Sequence, residues 1–211
     1  MQKYLPLFPL NVVVFPGEKL NLHIFEPRYK QLIKDCLEQA SSFGIPTYIN
    51  NGVGLYGTEL RILSVEKKYE TGEMDIRTHG LKTFKIIKFD RQAPGKLYAG
   101  GKVEEVEDVD DEDIVTKLKI KELLQQLYEV LGISSLFLDL PEDFKSFDIA
   151  HHLGLNTEQE YLLLQCESES TRQEMILQHL NNVMPILSET ERLKERVKQN
   201  GHFKHLTPPN F

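Results

Sequence analysis

Cysteine is scarce in this chain, which excludes the classes of protein that depend on it. The 211 residues include only Cys36 and Cys166, which lie far apart and form no paired motif. Disulfide-held secreted domains and zinc-binding modules both need several cysteines at short spacing. We therefore expect two reduced thiols in a cytoplasmic protein.

Long apolar runs are missing as well. No stretch approaches the ~18 consecutive apolar residues that are needed to cross a bilayer. Prolines also interrupt the apolar segment near the amino end, where a secretory signal would carry an unbroken run after a charged region. The sequence therefore predicts neither a signal peptide nor a membrane partner.

An excess of positive charge is lacking too. The formal net charge is −7 at pH 7, whereas a nucleic-acid-binding domain normally carries a basic footprint. This balance argues against nucleic acid as the main partner. Apolar residues make up 40% of the chain and charged residues 27%, which is typical of an ordinary globular protein. A chain of this length can bury a sufficient core without a disulfide or a metal.

The motifs of nucleotide binding and covalent catalysis are absent. A phosphate-binding loop needs Gly, four residues and then Gly-Lys-Ser/Thr, and the Gly-Lys pairs at Gly95 and Gly101 have neither the spacing nor the Ser/Thr. Neither G-x-G-x-x-G nor the nucleophile motif G-x-S-x-G occurs. We therefore expect a chain that is not an enzyme and has no cofactor.

Potential metal ligands are present, but in unsuitable patterns. A calcium loop starting at Asp108 would need Gly and Glu where Asp113 and Lys119 stand. The adjacent histidines 151 and 152 would point in different directions on a helix. The pair 202 and 205 lacks the further ligands that zinc requires. The sequence therefore predicts no metal site.

A proline-punctuated apolar segment, residues 5–29, is the most informative feature that is present. Its first three prolines break it into short extended pieces, because proline fixes φ and lacks a backbone donor. Residues 20–24 then alternate as in a half-buried strand. Pro27 follows, and proline is favoured at the first turn of a helix. This segment therefore predicts a bent, strand-rich start that leads into a helix.

Apolar alternation predicts strands through the rest of the first half, with one amphipathic helix at residues 27–40. In two strands the apolar pattern changes phase, between Ile62 and Leu63 and between Ile86 and Ile87. Such a change is typical of a β-bulge or of a strand buried on both faces. We therefore expect a small, strongly bent sheet that closes toward a barrel. The expected strands are residues 43–49, 58–66, 74–78, 82–89 and 97–106.

Apolar periodicity and capping signals predict helices in the second half of the chain. An acidic hinge at residues 104–113 separates the halves, and we place the boundary between a β-rich subdomain, 1–108, and an α-helical subdomain, 109–211. Pro185 is expected to kink or break the last helix. The expected helix signals are a stripe from Ile114 to Gly132, a short helix opening at Pro141, and capping boxes at Thr157 with Glu160 and at Thr171 with Glu174.

Several of these segments resemble the amino-terminal domain of Lon proteases. The first motif is Phe-Glu-Pro-Arg-Tyr at residues 25–29, and the second is a Gly-Thr-x-x-x-Ile strand at residues 57–62. A His-Gly-Leu-Lys-Thr-Phe segment follows at residues 79–84, and Leu-Pro-Glu-Asp and His-Leu-Gly-Leu occur at residues 140–143 and 152–155. The resemblance is to a stand-alone form without ATPase or peptidase domains.

The resemblance implies an α+β fold, with a strongly bent β-sheet pseudo-barrel of the PUA-like type and one helix, followed by an α-helical bundle subdomain. It also implies a non-catalytic module that recognises unfolded or tagged polypeptide, with a separate ATP-dependent protease as a second partner. An extended peptide can bind by strand addition or in an apolar groove. The candidate peptide-binding residues are Phe8, Leu10, Phe15, Phe25 and Tyr29, although each also suits core packing.

The motif residues Glu26, Pro27 and Arg28 have a structural interpretation. Partly buried charges are usually paired, so we expect Glu26 and Arg28 to bond each other or the backbone and to fix the start of the helix.

Three other functions stay open at this stage. PUA-like barrels elsewhere bind RNA, which a basic stripe would favour. An enclosed pocket with convergent polar groups would indicate a small-ligand carrier or hydrolase. A scaffold or weak homo-oligomer could use the short apolar seam of Leu193 and Val197. An open apolar groove would favour the polypeptide-recognition module.

Overall fold

The structure is a computed structural model that describes residues 2–135 and 140–202. Strands dominate the first half of the chain and helices the second. The strands are β1 (Gln2–Leu7), β2 (Lys19–Ile24), β3 (Phe43–Ile49), β4 (Gly52–Lys68), β5 (Met74–Asp90) and β6 (Ala99–Glu105). The helices are α1 (Pro27–Gln39), α2 (Ile114–Leu131), α3 (Ser146–Ile149), a 3₁₀ turn (Ala150–His152), α4 (Thr157–Gln165) and α5 (Glu169–His202).

The sheet bends into a partly closed ring. Its strand order is β2-β5-β4-β3-β1-β6, and β5 also pairs with β6. Five strands therefore close on themselves while β2 extends the sheet from β5. All strand pairs are antiparallel except β1 with β3. The predicted α+β fold, with a bent β-sheet pseudo-barrel before the helices, is confirmed.

The predicted phase changes coincide with irregular pairing. The β4–β5 register shifts between Ile62 and Ser64, and the β5–β6 register shifts between Ile86 and Lys88. Each shift turns the next side chains to the opposite face, as a β-bulge does. The strands predicted at 74–78 and 82–89 are one continuous strand, β5. Pairing continues through Gly80, which pairs with Leu60.

The predicted amphipathic helix is α1, and it covers the larger core. Its buried side chains are Tyr29, Leu32, Ile33 and Cys36, which pack with core residues from the strands. Burial raises the pKa of the Cys36 thiol to about 11. Cys36 therefore serves as a small apolar core residue.

The chain forms two compact units. The first contains the residues up to Asp111 together with Lys145–Glu169, and the second contains Glu112–Phe144 and the residues from Ser170 onward. Our expected boundary followed residue 108, with all later residues in the helical subdomain. The structure instead groups α3, the 3₁₀ turn and α4 with the sheet, because contacts such as the Tyr161 hydroxyl with the Tyr56 backbone N–H (3.0 Å) join them.

Several helix ends differ from the predictions. The short helix begins at Ser146 and not at Pro141. The capping box of α4 uses Asn156 with Gln159 and not Thr157 with Glu160, because Asn156 is the last residue with extended backbone while the next residue is already helical.

The last helix also begins earlier than predicted. It starts at Glu169, so Thr171 lies inside α5 and does not cap it. The helix continues past Pro185, which therefore does not break it. The Oγ of Ser188 donates to the Met184 carbonyl (2.9 Å), a bond between successive turns of one helix.

Candidate functional site

A groove opens in the first unit where β4 and β5 separate. The pairing of β4 with β5 begins at Tyr56, opposite Lys85, so Gly52–Leu55 at the start of β4 has no β5 partner. Gly52 and Val53 pair there with β3. From Ile86 onward β5 pairs with β6. The two strands therefore diverge, and a cavity of about 610 Å³ lies between them. Its lining is Pro9, Arg28, Tyr29, Tyr48, Asn51–Leu55, Ile86, Phe89, Arg91, Leu97 and Ala99.

The β3–β4 hairpin forms one wall of the groove. Its two-residue loop, Asn50-Asn51, has positive φ at both positions, 51° and 60°, and asparagine tolerates this conformation better than most residues. The loop leads into β4, on which the apolar side chain of Leu55 is 56% exposed. Tyr48, on the paired strand, is exposed next to it.

The loop between β5 and β6 forms the opposite wall, and α1 holds it in place. The Gln31 side chain accepts from the Leu97 backbone N–H (2.7 Å). The Asp35 carboxylate accepts from both Lys96 and Tyr98 at 2.7 Å. These bonds from Lys96 and then Tyr98 lower the pKa of Asp35, so the carboxylate stays ionised and holds the loop. Leu97 remains 57% exposed at the groove.

A stack of rings and a guanidinium closes one end of the groove. The rings of Phe8 and Tyr29 stack with centroids 3.7 Å apart, and the Arg28 guanidinium lies 4.5 Å from the centre of the Tyr29 ring. Burial raises the pKa of Tyr29. Glu26 binds Arg28 at 2.8 Å but makes no side-chain cap bond to the helix. The expected pairing of Glu26 with Arg28 is therefore present, and Pro27 is the first residue of α1.

The back of the hairpin is fixed by α4. The Tyr161 hydroxyl accepts from the Tyr56 backbone N–H at 3.0 Å. A Cβ at Gly54 would lie 2.6 Å from that hydroxyl oxygen, so Gly54 leaves the space that the tyrosine needs. This contact fixes the position at which β4 turns away from β5.

The lining of the groove is suited to binding. Arg28 and Arg91 are its charged residues, and most of the remaining lining residues are apolar or aromatic. Acid–base and nucleophilic catalysis require a positioned pair such as a nucleophile with its base, and no Ser, Cys, His, Asp or Glu is among the lining residues that the structure describes. Elsewhere within residues 2–135 and 140–202, no His, Cys, Asp and Glu side chains group to hold a metal.

Comparison with known proteins places the chain in a family. The model of the ATP-dependent protease La (LON) substrate-binding domain matches residues 4–182. The chain belongs to this family. The identification of the Lon amino-terminal family from the motifs is thereby confirmed.

Curated relatives of this LON substrate-binding domain are named Lon proteases. Lon protease of Anaeromyxobacter dehalogenans (strain 2CP-C) is 25% identical over 213 residues, and Lon protease 2 of Myxococcus xanthus gives the same figures. Each match covers 92% of this chain and 25% of the relative. The chain thus spans about a quarter of the length of these relatives.

Solved structures of Lon amino-terminal domains share the fold. The Lon N-terminal domain protein from Xanthomonas campestris is 29% identical with a TM-score of 0.65, covering 83% of this chain and 97% of that one. The N-terminal domain of the Mycobacterium avium complex Lon protease has 17% identity and a TM-score of 0.62, covering 85% and 98%. At 17% identity, the Mycobacterium avium complex structure shows similarity of fold alone.

The five predicted peptide-binding residues do not form one open surface in this LON domain. Phe8 and Phe15 are buried. Tyr29 is also buried apart from its edge at the groove. Leu10 is half-buried and pairs through its backbone with Thr47. Phe25 is 58% exposed but is not among the groove-lining residues.

Phe15 belongs instead to a cluster around His151. The ring of Phe15 lies 5.1 Å from that of Phe147 and 4.9 Å from that of His151. His151 contacts Glu18 at 3.2 Å through Nε2 and Glu160 at 2.8 Å through Nδ1. The bond to Glu18, with the help of Glu160, raises the pKa of His151 to about 9 against the opposing effect of burial. This cluster ties the segment of α4 to the start of the sheet.

Sequence reasoning missed most residues of the groove in this domain. Leu55, Arg91 and Leu97 were not candidates, because none of them belongs to the motif segment at residues 5–29. The signal that could have found one wall is the Asn50-Asn51 turn followed by the exposed Leu55. The opposite wall depends on pairing between distant strands.

No described helix of this LON domain is both long and apolar enough to cross a membrane.

Proposed function

We propose that this LON substrate-binding domain binds unfolded or tagged polypeptide segments in the groove between β4 and β5. In this proposal it does so in the cytoplasm, without changing the polypeptide chemically, for degradation by an ATP-dependent protease. The observation that carries the proposal is the open groove, whose exposed apolar side chains include Tyr48, Leu55 and Leu97.

The separation of the strands supports binding of an extended chain. Gly52–Leu55 has no β5 partner in the strand register, and its first two residues pair with β3 on the other side. A strand edge of this kind can accept an extended peptide through main-chain hydrogen bonds, which make no demand on sequence. Recognition of many different unfolded substrates requires such tolerance.

The exposed apolar side chains support recognition of unfolded rather than folded partners. Folded proteins bury most of their large apolar residues, whereas unfolded segments present them. Contact with Leu55 and Leu97, both more than half exposed, would remove apolar surface from water on both sides, at roughly 25 cal/mol per Å².

The composition of the groove lining argues against the alternative of a small-ligand carrier or hydrolase. A carrier or hydrolase would need convergent polar groups in its pocket, whereas here Asn51, Arg28 and Arg91 are the lining residues with strongly polar side chains. The groove is therefore better suited to a polymer with apolar side chains.

The experiment is a fluorescence anisotropy titration of a labelled, permanently unfolded polypeptide. We expect saturable binding by the wild-type domain. The change Leu55→Ser should weaken it by roughly tenfold, because an exposed leucine gives about 1.5 kcal/mol when it becomes buried. Leu63→Ser is the matched control, since Leu63 is an exposed leucine of the same strand outside the groove.

The two variants also separate a binding defect from a folding defect. Both leucines are exposed, so both variants should keep the wild-type circular dichroism and melting temperature. Equal affinity of Leu55→Ser and wild type, or no binding by wild type, would refute the proposal.

A further inference from the structure

The groove carries charge of one sign. Arg28 and Arg91 are the charged residues of its lining, and no carboxylate is among the described residues that line it. This contrasts with the net charge of −7 for the whole chain. We propose that the groove selects apolar segments that carry acidic side chains over those that carry basic ones, an inference that rests on the proposed function.

Arg91 is the main candidate for recognition of a carboxylate. It is exposed at the start of the β5–β6 loop, and no salt bridge to it occurs within residues 2–135 and 140–202. A guanidinium presents five donors in a planar fork that matches a carboxylate. An acidic side chain of a bound segment can therefore pair with Arg91 without displacing a partner on this chain.

Arg28 is positioned differently but adds to the positive charge of the groove. Its Nε and one terminal nitrogen contact Glu26 at 2.8 Å, and its plane lies over Tyr29. The pairing and the stacking hold the guanidinium at the end of the groove. Its remaining N–H groups can donate to a carboxylate, although Glu26 offsets part of the charge.

Acidic side chains of an extended segment suit this arrangement better than a free carboxyl terminus. In an extended chain successive side chains point to opposite sides, so apolar side chains can contact Leu55 and Leu97 while acidic ones between them face the rim. Recognition of a terminal carboxylate commonly uses a nest of backbone N–H groups, whereas the cations here are two side chains on separate elements.

RNA is the other polyanion that two arginines could bind. The apolar and aromatic lining and the net negative charge of the chain favour polypeptide, because affinity for RNA depends strongly on many cationic contacts to phosphate. Acidic polypeptide is therefore the occupant that we propose.

The test uses three peptides that compete with the labelled unfolded polypeptide. They share one apolar pattern and carry Asp, Ser or Lys at every second position. We expect the Asp peptide to bind about three- to tenfold more tightly than the Ser peptide, and the Lys peptide most weakly, as for one or two exposed ion pairs. The preference should shrink in 0.5 M salt, where charges are strongly screened.

Two variants locate the effect. Arg91→Glu should reverse the order of the Asp and Lys peptides. Arg61→Glu makes the same charge change at an exposed arginine of β4 outside the groove and should preserve the order. Both positions are exposed, so wild-type melting temperatures are expected and serve as the check of folding.

The outcomes distinguish this inference from the proposed function. Equal affinity of the three peptides, with Leu55→Ser still weakening them, would contradict charge selection and leave polypeptide binding intact. Failure of the unfolded polypeptide itself to bind would remove both proposals. Binding of a single-stranded RNA that depends on Arg91, without binding of the Asp peptide, would assign the arginines to phosphate instead.

Discussion

Gly57 shows how one residue sets the path of β4. A Cβ at this position would overlap the Ile45 carbonyl oxygen and lie 2.5 Å from the Pro46 Cα. Backbone atoms cannot move aside as a flexible side chain can, so glycine is required where β3 and β4 approach this closely. The register shift after Pro46 lies at the same place.

We expect Gly57→Ala to destabilise the domain by about 2 kcal/mol or more, because an inserted methyl group must displace backbone. The measurement is urea unfolding followed by circular dichroism. Gly52→Ala is the control on the same strand, since a Cβ there would meet no atom within 4 Å. Equal midpoints for the two variants would show that the close approach is not rigid.

His151 makes the stability of the first unit depend on pH. Its pKa is raised to about 9 by Glu18 and Glu160, above the ~6.5 of an unfolded chain. Protonation therefore favours the folded state. This contribution is fully present below about pH 6.5 and is lost as pH rises through about 9.

The expected magnitude is about 1 kcal/mol, because a third of the side chain is exposed and solvent screens the pairs. Urea midpoints of wild type and His151→Gln should differ at pH 6 and converge by pH 10. His152→Gln, which alters the exposed neighbouring residue, should show no such convergence. A constant difference between wild type and His151→Gln across this range would mean that packing, and not charge, is lost.

At the level of elements, the amino-terminal cap of α4 is formed by Asn156 and not by Thr157. The Asn156 side chain accepts from the Gln159 backbone N–H, and Gln159 accepts from that of Asn156, both at 2.9 Å. Asn156→Ala should cost about 1 kcal/mol. Thr157→Ala should cost less than half of that, although the sequence predicted Thr157 as the cap. Thermal unfolding of both variants decides between the two, and a larger loss for Thr157→Ala would contradict the observed cap.

Patterns within one element were predictable from the sequence. The apolar period of α1 and the phase changes at Ile62 and Ile86 depend only on neighbouring residues, and both were confirmed. The helix cap at Asn156 was missed by one residue because Asn, Thr, Gln and Glu all suit a capping box. The strand break expected between residues 78 and 82 was wrong, since Gly80 fits a paired position where backbone approaches closely.

At the scale of the whole molecule, the groove could not be predicted from local patterns. Leu55 and Leu97 line the same cavity only because the end of β5 pairs with β6 and does not pair with the start of β4. The sequence offered the aromatic residues of the opening segment instead, and Phe8 and Phe15 proved to be core. Membership of the LON substrate-binding family was predictable because its motifs are local.

Hydrogen exchange of the domain with and without saturating unfolded polypeptide tests the proposed site most directly. If an extended segment adds to the free edge of β4, the amide of Val53 should exchange more slowly in the complex, because antiparallel pairing of Gly52 with Ile49 leaves the next N–H pointing to that edge. The amide of Tyr56, already bonded to Tyr161, should change little. Slower exchange elsewhere, with the Val53 amide unchanged, would contradict binding in the groove.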